Sequence, residues 1–170
     1  MNSDRRRLIS AGMILGTGLG GFFDGFLFHQ LLQSHNMLSA KYPVRELDYR
    51  ALVINLEINM FWDGVFHAFC WAMTLLGLAL LWRTVKSANG TLSTRVFIGS
   101  LAAGWGAFQL IEGIINHHVL HLHHVMETPN HLLADLMFLA SGIILLAVGV
   151  FLMGTAKQEP VETRLSKDSH

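Results

Sequence analysis

Cysteine and charge are both scarce in this sequence. The 170 residues include one cysteine, Cys70, which excludes an internal disulfide and a metal cluster built on cysteine. Only 14% of the residues are charged and the formal net charge is zero, so nothing indicates a nucleic-acid partner. Hydrophobic residues make up 52%, which is too apolar for an ordinary soluble domain of this size. The composition therefore predicts an integral membrane protein.

Four long apolar runs predict four transmembrane helices. Each run is longer than the roughly 20 residues that cross a hydrocarbon core of about 30 Å. None has the alternation of a barrel strand, and open strands leave backbone groups unsatisfied in lipid. We expect one transmembrane domain over residues 1–155 and a polar, disordered tail over 156–170. The expected helices cover residues 8–33, 52–82, 96–124 and 131–154.

The basic residues are spread unevenly over the termini and loops. Nine of the twelve Lys and Arg residues lie in the N-terminus, the second loop and the tail, and the third loop has none. Because cytoplasmic segments carry the excess of Lys and Arg, both termini are expected in the cytoplasm. The first and third loops are then expected to face the periplasm or its equivalent. The long apolar run after Arg7 lacks a clear cleavage site, which favours an uncleaved anchor over a signal peptide.

The third apolar run repeats the first without a gap. We therefore predict an all-α bundle built from two duplicated helical hairpins, related by a pseudo-two-fold axis along the membrane normal. Glycines at positions 12, 16 and 20 form a small-residue face that lets helices approach closely. At a shift of 88 residues the matched pairs are Asp24 with Glu112, His29 with His117, and His35 with His123. The second and fourth runs align more weakly at a shift of 72, which matches Asp63 with Asp135.

Ionisable side chains are expected at one depth, in the outer half of the bundle. A helical rise of about 1.5 Å per residue places four carboxylates, one from each helix, at nearly the same level. Buried carboxylates repel one another, so each must protonate or find a cation. Histidines nearby would supply that cation when protonated, and a metal would supply it with neutral imidazole and carboxylate as ligands. The alternative for any single residue is that it only joins helices by hydrogen bonds. The candidate metal ligands are Asp24, His29, His35, Asp63, His67, Glu112, His117, His118, His123, His124 and Asp135.

The ligand types leave the metal and the number of ions open. Mixed imidazole and carboxylate ligation without thiolate fits zinc, iron or manganese, and copper(II) less selectively. Haem fits less well, because four adjacent carboxylates make a poor pocket for a pair of axial histidines. In an α-helix Asp24 and His29 lie roughly 140° apart, so they serve one ion only from its two sides, or serve two.

Four stretches of the sequence resemble a known family. They read "GGFFDGFLFHQLLQSHNMLS", "DGVFHAFCWAMTLLGLALLWR", "GWGAFQLIEGIINHHVLHLHHV" and "DLMFLASG". From about Ala11 to Leu152 the chain resembles a bacterial predicted membrane-protein family of unknown function, domain-of-unknown-function family 2243. The resemblance implies a multi-pass protein of the bacterial inner membrane and brings no activity with it. The eleven candidate ligands match the family pattern, whereas Asn36 stands where that pattern has histidine. His121 and His131 are peculiar to this chain, and their role is open.

Three kinds of function are compatible with these residues. The first is a membrane metalloenzyme, an oxidoreductase or a hydrolase, that acts on a lipid-soluble small molecule. The second is a metal store, sensor or chaperone that takes ions from the periplasm. The third is a proton or ion pathway through the same acids without a fixed metal. The lipid bilayer is the partner that the sequence predicts, and the oligomeric state is open.

Overall fold

Helices account for the regular structure of this protein. The computed structural model describes residues 3–45 and 48–156, and no strand occurs within these ranges. The four stretches of continuous helix are each long and apolar enough to cross a membrane. The predicted all-helical fold with four spans is therefore confirmed. The α-helices are α1 (Ser3–Asp24), α2 (Tyr49–Ser87), α3 (Thr94–Glu112) and α4 (His131–Thr155).

Two of the spans end in π-helices. The first π-helix, Gly25–Leu31, continues α1, and the second π-helix, Gly113–Val119, continues α3. Hydrogen bonds between residues five apart define this form, for example from the N–H of Leu32 to the carbonyl of Leu27 at 2.8 Å. The π-helices therefore change which side chains share a face at the end of each central helix.

Glycines bring α1 and α3 into direct contact at the centre of the fold. A Cβ atom on Gly16 would overlap the backbone of Leu101, and one on Gly104 would overlap the backbone of Met13. Backbones this close are typical of small-residue faces in membrane proteins, where van der Waals packing replaces the hydrophobic effect between helices. The two central helices thus hold the rest of the bundle.

A second set of glycines attaches one outer helix to each central helix. Helix α2 packs on α1, where a Cβ atom on Gly77 would lie 2.7 Å from the backbone of Leu15. Helix α4 packs on α3, where a Cβ atom on Gly149 would lie 2.5 Å from the carbonyl oxygen of Gly99. In the described part of the chain, no Cα atom of α2 comes within 8 Å of one in α4.

The outer helices direct large apolar side chains away from the bundle. Such an outward face suits contact with lipid tails, which are as apolar as leucine. Exposed examples on α2 and α4 are Trp62, Trp71, Leu75, Met137 and Phe151.

The chain ends of both hairpins meet at one end of the bundle. The guanidinium of Arg5 donates to the carbonyl oxygen of Met153 near the end of α4, at 2.8 Å. The guanidinium of Arg7 donates to the hydroxyl of Ser87 at the end of α2, at 3.1 Å. The first and third loops therefore lie together at the opposite end.

Local backbone geometry repeats at a spacing of 88 residues. The two π-helices begin that far apart, at Gly25 and Gly113. Within the described ranges, the non-glycine residues with positive φ are Gln33 (50°) and His121 (48°), again 88 apart. These correspondences support the predicted duplication. The duplication itself and the cytoplasmic position of both termini stay predictions.

The end of the third span differs from the prediction. The sequence predicted helix to residue 124, whereas the second π-helix ends at Val119. The N–H of Leu120 donates to the carbonyl of Ile115 at 2.8 Å, and the positive φ of His121 then turns the chain out of the helix. Of the predicted polar tail, 156–170, all but Ala156 lies outside the described residues.

The close central packing predicts a steric penalty at Gly16. We expect Gly16→Ala to lower the free energy of unfolding by about 1–3 kcal/mol, because the new methyl group overlaps the backbone of Leu101. Gly64 has no atom within 4 Å of an added Cβ, so Gly64→Ala is the matched control and should be neutral or slightly stabilising. Thermal unfolding in detergent, followed by circular dichroism, measures both. A Gly16→Ala variant that melts with the wild type would contradict this packing.

Candidate metal centre

Four imidazole rings lie together where the first and third loops meet the bundle. The histidine cluster consists of His29, His35, His117 and His123, each no more than 2% exposed. The ring centroids of His29 and His35 are 4.5 Å apart, those of His35 and His123 are 4.7 Å apart, and those of His117 and His123 are 4.8 Å apart. Two of the rings come from the π-helices and two from the loops that follow them.

The π-helices bring each acid onto the same side as its histidine. In a π-helix, hydrogen bonds join residues five positions apart, and such residues lie about one turn apart on the same side of the helix. In an α-helix, residues five positions apart are separated by roughly 140° around the axis. The Nε2 atom of His29 accordingly lies 3.5 Å from Oδ2 of Asp24. The Nε2 atom of His117 lies 3.3 Å from Oε2 of Glu112. Asp24 and His29 therefore face one position, a point that the sequence had left open.

The outer helices supply a second carboxylate to the other side of each ring. Nδ1 of His29 is hydrogen-bonded to Oδ1 of Asp63 on α2, at 2.9 Å. Nδ1 of His117 lies 3.0 Å from Oδ1 of Asp135 on α4. Both carboxyl groups are buried, with exposures of 3% and 1%. Each imidazole of the π-helices therefore lies between two acids, one from its own helix and one from its neighbour.

The two loop histidines are each held by the opposite loop. Nδ1 of His35 donates to the carbonyl oxygen of Val125 at 3.0 Å, and Nδ1 of His123 donates to that of Met37 at 2.9 Å. Because a carbonyl oxygen only accepts hydrogen bonds, Nδ1 of each ring carries a proton, and Nε2 of His35, which has no hydrogen-bond partner among the described residues, keeps its lone pair. Nε2 of His123 lies 2.8 Å from Oε1 of Glu112. The crossing of the loops thus fixes which nitrogen of each ring faces the cluster.

His35 is held in its neutral form. Burial, followed by the neighbouring rings of His123 and His29, lowers the pKa of His35 well below its usual value. Neutral imidazole is the form that binds a metal ion. His35 is therefore ready to act as a ligand without first losing a proton.

The outer-helix acids also hold the loops in place. Asp63 accepts hydrogen bonds from the N–H of Met37 and from the side-chain amide of Asn36, both at 2.8 Å. Asp135 accepts a hydrogen bond from the N–H of Val125 at 2.9 Å. With these partners, Asp63 and Asp135 orient the histidines and close the loops over them.

Two overlapping groups of side chains have the spacing of metal ligands. One ligand atom from each of His29, His35 and His123 lies within 4.8 Å of the others, and the same holds for Glu112, His117 and His123. Nε2 of His29 and Nε2 of His35 are buried without a hydrogen-bond partner among the described residues. Buried ring nitrogens without a partner are rare and require an explanation, and a metal ion supplies one. The residues present therefore fit a transition metal.

Four of the predicted ligands belong to no group with metal-ligand spacing among the described residues: Asp24, Asp63, His67 and His118. Nδ1 of His67 donates to the backbone carbonyl of Asp63 within α2, at 2.7 Å, and its ring lies against Phe22. The ring of His118 is 6.5 Å from that of His117 and joins no group with metal-ligand spacing among the described residues. A third group combines two other predicted ligands, His124 and Asp135, with His131.

A polar cavity of about 340 Å³ lies beside the histidine cluster, at the end formed by the loops. It borders His35 and is lined mainly by polar and charged residues of the first loop, with one acid from the third. His35 is the member of the histidine cluster that borders the cavity. Its lining includes Ser34, His35, Asn36, Ser39, Arg45 and Glu127.

The fold and the site together define a helical membrane protein with a buried centre of histidines and carboxylates. The family described as predicted membrane protein (DUF2243) matches residues 11–156. The chain belongs to this family, which confirms the resemblance seen in the sequence. No curated protein and no solved structure matches the chain.

Proposed function

We propose that this protein binds one or two transition metal ions at the histidine cluster, with Asp24 and Glu112 as further ligands. The orientation of the four rings carries this proposal. Each Nδ1 atom lies next to a carboxylate or a backbone carbonyl, and each Nε2 atom faces an acid or has no partner. Histidines that bind metals almost always donate their other ring N–H to such a group, which fixes the tautomer.

The donor set indicates which metals the centre prefers. Glu112, His117 and His123 supply two imidazoles and one carboxylate, a set used by zinc and non-haem iron centres that keep a position open. The other group supplies three imidazoles, and Asp24 lies 3.5 Å from one of them, His29. We therefore propose zinc or iron, with copper as a less selective alternative.

A proton pathway without metal explains the same residues less well. A relay of protons requires hydrogen bonds from ring to ring or from ring to acid, because the proton moves along them. Nε2 of His35 is buried and has no such partner among the described residues. A bound metal ion would give this nitrogen a partner, whereas a network of protons alone would not.

The cavity beside His35 favours metal handling as the role of the centre. Its lining is mainly polar and faces the end of the molecule that holds the first and third loops, which the basic residues predict to be periplasmic. Such a cavity suits an ion or a small polar molecule better than a lipid-soluble substrate. We propose a store, sensor or chaperone for metal that opens to the periplasm of the bacterial inner membrane. A metalloenzyme is the second candidate, because Glu112, His117 and His123 provide three ligands and leave a further coordination position for water or a substrate.

Metal content tests the centre directly. Protein expressed with zinc and iron supplied, purified and analysed for its elements, should contain about one or two ions per chain. His117→Ala and His29→Ala should each lose most of this metal, because each removes an imidazole from the cluster. His67→Ala is the matched control, since His67 lies one turn from Asp63 but outside the ligand groups. A wild-type content below about 0.2 ions per chain would contradict the proposal.

The acids on the outer helices should strengthen metal binding at the histidine cluster by supporting the histidines, without being ligands there themselves. We expect Asp63→Asn to weaken metal binding by about 10–100-fold, because it removes the carboxylate that supports His29. Asp48→Asn is the control, because Asp48 caps α2 away from the cluster and asparagine caps helices as well as aspartate. Competition with a coloured chelator measures both affinities. Equal affinities in the two variants would show that Asp63 does not support a metal ligand.

A further inference from the structure

We propose a second, outer metal site formed by His124, His131 and Asp135, which takes a divalent transition metal ion of the zinc class. The site goes beyond the metal centre proposed above, because the histidine cluster contributes neither of its imidazoles. One ligand atom from each of the three residues lies within 4.8 Å of the others. Two imidazoles and a carboxylate form a set that zinc accepts.

The rings of the two outer histidines lie against each other. The rings of His124 and His131 are 4.0 Å apart and nearly parallel, at 19°. Nδ1 of His124 lies 2.7 Å from Oδ2 of Asp135, whereas His131 makes no hydrogen bond through its ring among the described residues. The ring nitrogens of His131 are therefore available to a metal ion that His124 also binds.

The outer site is accessible from the side of the loops. The side chain of His124 is 17% exposed, and His131 is half-buried at the start of α4. The histidine cluster, by contrast, is almost completely buried. An ion from solvent therefore reaches the outer pair without passing the cluster.

The other half of the molecule has asparagine at both corresponding positions. The shift of 88 matches His124 with Asn36, and the shift of 72 matches His131 with Asn59. Asn36 makes the corresponding hydrogen bond to Asp63, at 2.8 Å. The carboxamide of Asn59 is fully buried and holds the first loop.

The hydrogen bonds of Asn59 show how the halves differ. Its oxygen accepts from the N–H of Leu38 at 3.0 Å, and its nitrogen donates to the carbonyl of Tyr42 at 2.8 Å. Asparagine in the first half thus fastens a loop, whereas imidazole in the second half leaves ring nitrogens for a ligand. Imidazole binds zinc well and the carboxamide does not, so the outer site exists on one side only.

Asp135 links the outer site to the histidine cluster. Its Oδ1 atom lies 3.0 Å from Nδ1 of His117, and its Oδ2 atom lies 2.7 Å from Nδ1 of His124. The carboxyl group of Asp135 therefore lies between an ion at the outer site and the central ligand His117. We assign the outer site the role of capturing ions for the centre. This role rests on the proposed function of the centre, whereas the existence of the outer site does not depend on it.

Zinc titration of the whole protein tests the outer site. Protein stripped of metal by a chelator and held in detergent is titrated with Zn²⁺ in a calorimeter. We expect His131→Asn to bind one equivalent fewer than the wild type, or to weaken one class of sites by at least about tenfold. His124→Asn should have the same effect, and it preserves the hydrogen bond to Asp135 because Asn36 makes that bond to Asp63 in the other half.

A nearby exposed histidine provides the matched control. His121→Gln installs the residue that the first half has at the same backbone conformation, since Gln33 and His121 share a positive φ. The ring of His121 is 6.2 Å from that of His124 but belongs to no ligand group. The proposal predicts unchanged zinc binding in this variant. If His121→Gln loses as much binding as His131→Asn, the zinc binds to surface histidines in general and the proposal is wrong.

A variant of the centre separates the two proposals. In a His29→Ala background the binding that depends on His131 should persist, because His29 lies outside the outer site. If the wild type binds only the equivalent that depends on His131, and His29→Ala binds as much zinc as the wild type, the proposed centre is refuted and the outer site is retained. Equal stoichiometry and affinity in the wild type and His131→Asn would refute the outer site, whatever the state of the centre.

Discussion

The contact between a buried imidazole and two buried carboxylates determines much of this structure. His29 lies between Asp24 and Asp63, and its counterpart in the second half lies between Glu112 and Asp135. Ionisable groups at this depth in a membrane are costly unless each has a partner. The helix contacts, the π-helices and the loops all serve to bring those partners within reach.

Close packing at the glycines brings the helices together, and the crossing of the loops orients the loop histidines. The glycines let α1 and α3 approach closely, and they attach one acid-bearing helix to each. The loops then cross, so that His35 is fastened to the third loop and His123 to the first. Neither half can complete the cluster alone, because each loop histidine takes its orienting hydrogen bond from the other half.

The sequence predicted the large features of the fold, and it named most of the residues that the structure brings together at the histidine cluster. Apolar run length predicted the four spans, and helical rise predicted that acids from the four helices would lie at nearly one level. The π-helices were not foreseen, because α-helical periodicity places Asp24 and His29 on different sides and only a glycine after each acid hints at the change. The contact of His124 with His131 was also missed, since it joins residues across a turn that breaks the helix. His67 was placed with the site because it lies one turn from Asp63, and the structure shows that its ring bonds the backbone of α2 instead of joining a ligand group.

X-ray absorption at the edge of the bound metal tests the central claim most directly. A metal ion bound at the histidine cluster should have a shell of nitrogen and oxygen only, at about 2.0–2.2 Å, with the outer-shell scattering of several imidazoles. Cys70 packs against Phe66 and Phe108 in the core and offers no ligand to the cluster. A sulfur shell near 2.3 Å, or a metal with no imidazole around it, would contradict the account.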